Sequence, residues 1–199
     1  MKGSMKSLFE LSTREPEDAK LRFVVEIGLA SSAMMRLFER DSSKILKDKI
    51  LAKPRAFEAE SEDQYKSIHK SICDWGTKNI KLAKGHDYAS YGQIAKTLDV
   101  AMKVIVYDCH YPDCQKYELT SKWLNAAVDT SMMACLKRTY PEHIEKWPTT
   151  LKEVHESAYA SIQTLVRKFI NEDIDEKHRG EITPVQFDDM YWEALNRKA

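Results

Sequence analysis

The apolar positions of this chain recur at helical spacing almost from end to end. In the first third, Leu21, Val24 or Val25, Gly28 or Leu29 and Met35 fall about one turn or two turns apart, the interval at which side chains share one face of an α-helix. Ser12 or Thr13 offers a cap and acidic residues fill the turn that follows, so a long helix is predicted from there to Glu39 or Arg40. "DSSKILKDKILAKP" gives a shorter helix stopped by Pro54. Ser61 caps the next segment, which carries Tyr65, Ile68, Ile72 and Trp75 on one face and ends at Gly85.

The second half continues in the same rhythm. In "SYGQIAKTLDVAMKVIVYD", Ile94, Leu98, Ala101 and Ile105 follow 4-3-4 spacing, and "VIVY" prolongs that helical stripe. "TSKWLNAAV" predicts a short helix. Asp129 is a good cap for "TSMMACLKRTY", which Pro141 closes. Thr149 or Thr150 is expected to open a long helix through "LKEVHESAYASIQTLVRKFI". An acidic loop, "NEDIDEKHRGEIT", then leads to Pro184 in the first turn of the last helix. There is no strand-like alternation, internal repeat or low-complexity tract. The pattern predicts an all-α, single compact domain of about seven helices spanning residues 5–199, with residues 1–4 expected to be an expression remnant.

Composition narrows the function classes. The chain has 31 Lys and Arg against 31 Asp and Glu, so bulk charge supplies no drive toward nucleic acid or anionic membrane, and any such contact must be local. Residues 44–84 carry ten bases against six acids, and residues 171–189 reverse this with seven acids and two bases. No apolar run is long enough to span a bilayer. "MKGSMKSLFELS" lacks the apolar core of a signal peptide, and the four Cys stand at irregular spacing. A cytoplasmic protein with free thiols and no membrane association is expected.

Four groups of residues carry candidate chemistry. His69 and Cys73, at i,i+4 on one helix, could share a metal with Cys109, His110 and Cys114, yet neither side has the C-x2-C geometry of a zinc knuckle. Burial as small hydrophobes is the better reading of these thiols, and no metal or cofactor is assigned. Lys66, Lys70, Lys81 and Lys84 fall within an arc of about 60° if one helix carries all four, a stripe that fits either phosphate contacts or a plain solvated face. Lys96, Asp99 and Lys103 form the polar stripe of an otherwise apolar helix. An Asp99–Lys103 i,i+4 ion pair at the surface is the expectation, and internal pairing or a cleft is the alternative. Asp129, finally, can cap its helix and at the same time present an ionised carboxylate in a fixed direction.

Two resemblances add to this. "YGQIAKTLDVAMKVIVY" resembles the G-x-A-Q-K-x-L-N-L-x-L-K-Y stretch of a prokaryotic all-α family of unknown function, with Gly92, Lys96, Leu98, Asp99 and Lys103 at its key positions and Ala95 in place of its Gln. "DCHYPDC", "AAVDTSMM" and "PVQFDDMYW" look like divergent forms of that family's later motifs, so the likeness covers roughly residues 88–192 and implies a shared fold without an activity. "LNAAVDTSMMACLKR" is similar to the Val-Asp-Thr helix opening of helix-hairpin-helix DNA glycosylases. In that family the Asp stabilises the cationic sugar as the glycosidic bond breaks, and a Lys in the preceding hairpin often attacks the sugar carbon. Asp129 matches the Asp. Gly92 stands for the hairpin Gly, Ile94 occupies the Lys position, Lys96 comes one turn later, and Ser131 replaces the family's His.

The expected function is therefore that of a DNA-associated, glycosylase-like protein. Asp129 would be its electrostatic stabiliser and Lys96 a candidate nucleophile. Lys66, Lys70, Lys81 and Lys84 would contact phosphates, and Trp123 or Tyr91 would supply the aromatic group that base flipping needs. The alternative is a non-catalytic helical interaction module, a homodimer for example, in which Asp129 is only a cap. The two part on geometry: the enzyme needs Lys96 and Asp129 together in a cleft.

Overall fold

The computed structural model describes residues 15–85 and 87–197. Among them run eight α-helices: α1 (Pro16–Ser31), α2 (Arg40–Leu51), α3 (Glu62–Asn79), α4 (Tyr91–Met102), α5 (Cys114–Thr120), α6 (Thr130–Thr139), α7 (Glu156–Lys168) and α8 (Pro184–Asn196). Two single β-bridges, Phe38 with Leu82 and Lys81 with Tyr88, are the strand-like pairings among the described residues. The all-α expectation holds, with one helix more than seven. None of these helices is long and apolar enough to cross a membrane.

The fold is organised around α4. A full capping box opens it: Ser90 accepts from the Gln93 amide, and the Gln93 side chain accepts from the Ser90 amide. Ile94, Ala95, Leu98, Ala101 and Met102 are all buried. Each of the larger ones contributes about 1.5–3 kcal/mol by leaving water. α1 and α3 pack along α4, and the 3-10 turns Ala33–Leu37 and Leu151–Glu153 close over its sides. The approach of α1 is unusually close, because a Cβ on Gly28 would sit 2.9 Å from the Ala101 carbonyl oxygen. Gly92 meets the Leu151–Val154 turn in the same way: a Cβ there would lie 2.5 Å from the Val154 Cβ, and its own amide donates to the Val154 carbonyl.

Several boundaries differ from those the sequence predicts. The first helix does not reach Glu39. At Ser32 the backbone becomes extended, a 3-10 turn follows, and buried Phe38 pairs with Leu82 instead of continuing the helix. Ser12 and Thr13 lie outside the described residues, and Glu15 occupies the N-cap position ahead of Pro16. α3 is capped by Ser61 as expected but stops at Asn79, because buried Ile80 is extended and the chain enters the two-bridge loop that turns at Gly85, where φ is +83°. "VIVY" leaves the α-helical path for a π-helical turn, Lys103–Asp108, in which the Cys109 amide reaches back to the Val104 carbonyl. The helix expected over "TSKWLNAAV" does not form: α5, capped by Asp113, which accepts from the Gln115 and Lys116 amides, ends at Thr120, the first residue of that stretch, and a turn and irregular chain follow. α7 starts at Glu156, with Thr149 and Thr150 in the turn before it.

The α1–α4 contact makes a prediction of opposite sign to helix propensity. In an exposed helix interior Gly→Ala gains about 1 kcal/mol. Gly28→Ala is expected instead to destabilise by about 1–3 kcal/mol, the cost of overpacking, and urea unfolding at constant m-value measures it.

Candidate functional site

The polar stripe of α4 divides among three sets of partners. Asp99 is 1% exposed and does not pair with Lys103. Its Oδ1 accepts from His69 Nε2 on α3 at 2.9 Å, and the Tyr159 hydroxyl on α7 donates to its two oxygens at 3.0 and 2.8 Å. His69 and Tyr159 stack nearly parallel, and the other imidazole nitrogen faces the Cys73 sulfur at 3.7 Å. The expected surface ion pair is thus replaced by an internal one. A carboxylate this deep must be paired, because a lone buried charge costs several kcal/mol. Burial alone would lower the His69 pKa, but the Cys73 sulfur and the Asp99 carboxylate outweigh it and raise it to about 10. Burial, with the Asp99 charge, pushes the Tyr159 hydroxyl well up, so it stays a donor.

One turn before Asp99, Lys96 meets Asp129. The amine lies 3.8 Å from Asp129 Oδ2, and the two side chains are 15% and 23% exposed. The position of Asp129 is built from both sides. Upstream, residues 124–129 form neither helix nor strand, and α7 side chains take up several of their backbone groups. Gln163 accepts from the Ala126 amide and donates to its carbonyl, and Arg167 donates to the carbonyls of Trp123 and Leu124. Downstream, Asp129 caps α6, its Oδ1 accepting from the Met132 amide at 2.9 Å. One carboxylate oxygen thus serves the helix, and the other faces the amine. Burial pushes the Lys96 amine below its ordinary value, against the opposing pull of Asp129, Asp188 and Asp99. A lysine lowered by desolvation has more of its neutral, nucleophilic form near neutral pH.

Lys96 lines a cleft of about 460 Å³ between α1, α4 and α8. Lys103 lines it too and bridges Asp188, at 2.9 Å, and Asp189, both on α8. Burial works against the Lys103 charge, yet Asp189 and Asp188 together hold its pKa above the ordinary value. Asp188 is itself pushed up by burial, which Lys103 only partly offsets. Asp108 and the half-exposed ring of Trp192 complete the wall. Sequence reasoning names none of Asp108, Asp188, Asp189 and Trp192 as site residues. Their signal was the pairing of Lys103 on the α4 stripe with the acidic, aromatic "FDDMYW" on α8.

The remaining sequence-predicted residues lie elsewhere. Lys66 and Lys70 are on α3, where Lys66 pairs with Glu62 at 2.8 Å and Lys70 with Asp74 and Glu156 at 2.9 and 2.6 Å. Lys81 and Lys84 come after the end of α3, so the four do not form a single helical stripe, and none of them lines the cleft. Trp123 packs partly buried against the core and Tyr91 is buried beside Tyr159. His69 and Cys73 belong to the Asp99 cluster, whereas Cys109 and Cys114 are exposed. Among the described residues no group of three or more His, Cys, Asp or Glu is placed to hold a metal ion.

The His69–Asp99 pair predicts a pH dependence of stability. A folded-state pKa raised from 6.5 to about 10 by Cys73 and Asp99 together means that the contribution of the protonated His69 in this cluster is full below pH 6.5 and is lost as pH rises through 10. Thermal melts are expected to show Tm falling across that window, with the slope flattened in His69→Gln; an unchanged slope in the variant rules out the charged pair. Comparison with protein-family models, with curated proteins and with solved structures finds no match to this chain.

Proposed function

We propose that the cleft beside α4 is the centre of a glycosylase-like enzyme that breaks an N-glycosidic bond, with Lys96 as nucleophile and Asp129 as its carboxylate partner. The observation that carries this reading is the convergence of the two side chains, from separate elements, at 3.8 Å beside a cleft. Asp129 would stabilise positive charge developing on the sugar. The neutral Lys96 amine would add to the anomeric carbon as the C–N bond breaks. The bonding pair leaves with the base, and the proton shed by the new ammonium passes through Asp129 to that base. The sugar ring then opens: the C1′–O4′ bond breaks, the ring oxygen takes a proton from solvent water to become a hydroxyl, and the nitrogen lone pair forms the iminium on Lys96.

DNA as the carrier of that sugar rests on the likeness of Val128-Asp129-Thr130 to the glycosylase helix opening. The four free cysteines support a reducing, cytoplasmic setting. One observation favours the second reading, a non-catalytic helical module or homodimer. The cleft's rim carries more acid than base, and Lys66 and Lys70 are already engaged with acidic neighbours. Among the described residues a polyanion therefore finds no basic track leading to Lys96.

The experiment is base release from an oligonucleotide panel at low salt, with borohydride added to reduce any iminium. Wild type is expected to release base and to form a covalent adduct with DNA. Lys96→Gln is expected to lose the adduct and at least about 100-fold in rate. Asp129→Asn, which keeps the cap acceptor, is expected to bind as wild type does and to lose a similar factor in rate. No DNA binding at low salt sinks the reading and leaves the interaction module.

A further inference from the structure

The cleft beside Lys96 has a charge surplus with a direction to it. Its two lysines are both engaged: Lys96 faces Asp129, and Lys103 is shared between Asp188 and Asp189. Asp108 lines the same cleft and makes no ion pair or side-chain hydrogen bond among the described residues. Asp108 is open to water, and burial pushes its pKa up while Lys103 pulls it down; in its ionised form it only accepts hydrogen bonds, so a ligand group that displaces its water has to donate. A carbonyl oxygen there would face lone pairs and lose its water without compensation.

The rest of the wall selects for a flat ring. Trp192 on α8 is 53% exposed, and it stands in a concave wall with Val100, Val104 and Ala127. A single exposed apolar side chain on a convex surface needs no explanation. An indole face beside apolar side chains in a cleft of this size is a stacking platform, and every heterocyclic base has a π-face to set on it. A phosphate is disfavoured inside by the same carboxylates and would have to point out of the mouth.

We propose that this cleft takes a heterocyclic base bearing an exocyclic amino group, with Trp192 as the stacking face and Asp108 as acceptor for the amino protons. The inference rests on the glycosylase reading and sharpens it, since it names adenine- and cytosine-type bases over their keto counterparts. Lys96 and Asp129 then stand where the sugar of such a nucleoside would lie.

The test is titration calorimetry of the full chain with four nucleosides, cytidine against uridine and adenosine against inosine. Within each pair the exocyclic group changes from amino to keto, the adjacent ring nitrogen gains a proton and the sugar stays the same, so 3-methyluridine and 1-methylinosine are run beside the keto partners to remove that ring donor. Cytidine and adenosine are expected to bind on the order of tenfold more tightly than their partners, the worth of a hydrogen bond to a charged acceptor. Asp108→Asn, which presents a donor as well as an acceptor, is expected to bring each pair within about twofold. Trp192→Ala is expected to weaken all four by about tenfold while keeping the preference. Both side chains are exposed, and a thermal melt on each variant checks that the fold is intact. Equal affinities within the pairs, a preference unmoved by Asp108→Asn, or no binding of any nucleoside at millimolar concentration overturns the inference. Base release from DNA without amino selectivity overturns it and leaves the glycosylase reading standing. Amino-selective binding without base release supports it and overturns that reading.

Discussion

Asp99 is the constraint from which the rest of the architecture follows. A carboxylate in the middle of the central helix, 1% exposed, has no route to water, and its charge is tolerable only while His69 and Tyr159 hold it. Removing one member of such a set costs about 3–5 kcal/mol, because the others are left buried without a partner. The three residues come from α4, α3 and α7, so satisfying one carboxylate also fixes how three helices sit together. A purely apolar seam would tolerate sliding of one helix past another. A hydrogen-bonded charge permits one register.

That register decides where the neighbouring lysines go. Lys96, Asp99 and Lys103 lie within about 60° on one side of α4, yet each finds a different partner. α3 and α7 close over the middle of the stripe and leave its two ends to Asp129 and to α8. Pinning Asp99 inward places Lys96 and Lys103 at the edge of the buried zone. There burial lowers the Lys96 pKa, Asp189 and Asp188 raise that of Lys103 against its burial, and both side chains stay open enough to line a cleft. The cleft is thus a by-product of burying the acid between them.

The sequence made some of this legible and hid the rest for physical reasons. Helix positions came through wherever a cap and a stripe agreed, as at Ser61, Asp129 and Pro184, because both signals are local. The early end of the first helix and the late start of α7 did not. Buried Phe38 and Val154 are drawn into non-helical contacts with residues far along the chain. "TSKWLNAAV" misled in the same way, since its backbone partners are side chains of Gln163 and Arg167. In the site, Asp129 and Lys96 were readable from motif and spacing. Asp99 was misassigned because i,i+4 spacing to Lys103 offers a local partner, while the partners that win lie 30 and 60 residues away. The Lys66–Lys84 stripe failed as a stripe because the helix carrying it ends before Lys81.

The geometry of Asp129 bears on whether a helix cap can also do chemistry. A cap carboxylate is normally occupied by the amides it serves. Here Oδ1 carries that duty through the Met132 amide, and Oδ2 is the oxygen nearest Lys96. At 3.8 Å the amine and that oxygen attract each other but stand beyond hydrogen-bond distance. A tight bidentate pair would hold the proton on nitrogen and keep the amine inert. This gap leaves the ammonium under-compensated for its burial, which is the direction in which its pKa moves. A rotamer change of one long side chain closes the gap, so the carboxylate can receive the proton when the amine gives it up. The cap hydrogen bond fixes the direction of the Asp129 carboxylate, whereas a lysine stem has four rotatable bonds, an asymmetry that would suit the proposed pairing of a fixed acceptor with a mobile nucleophile.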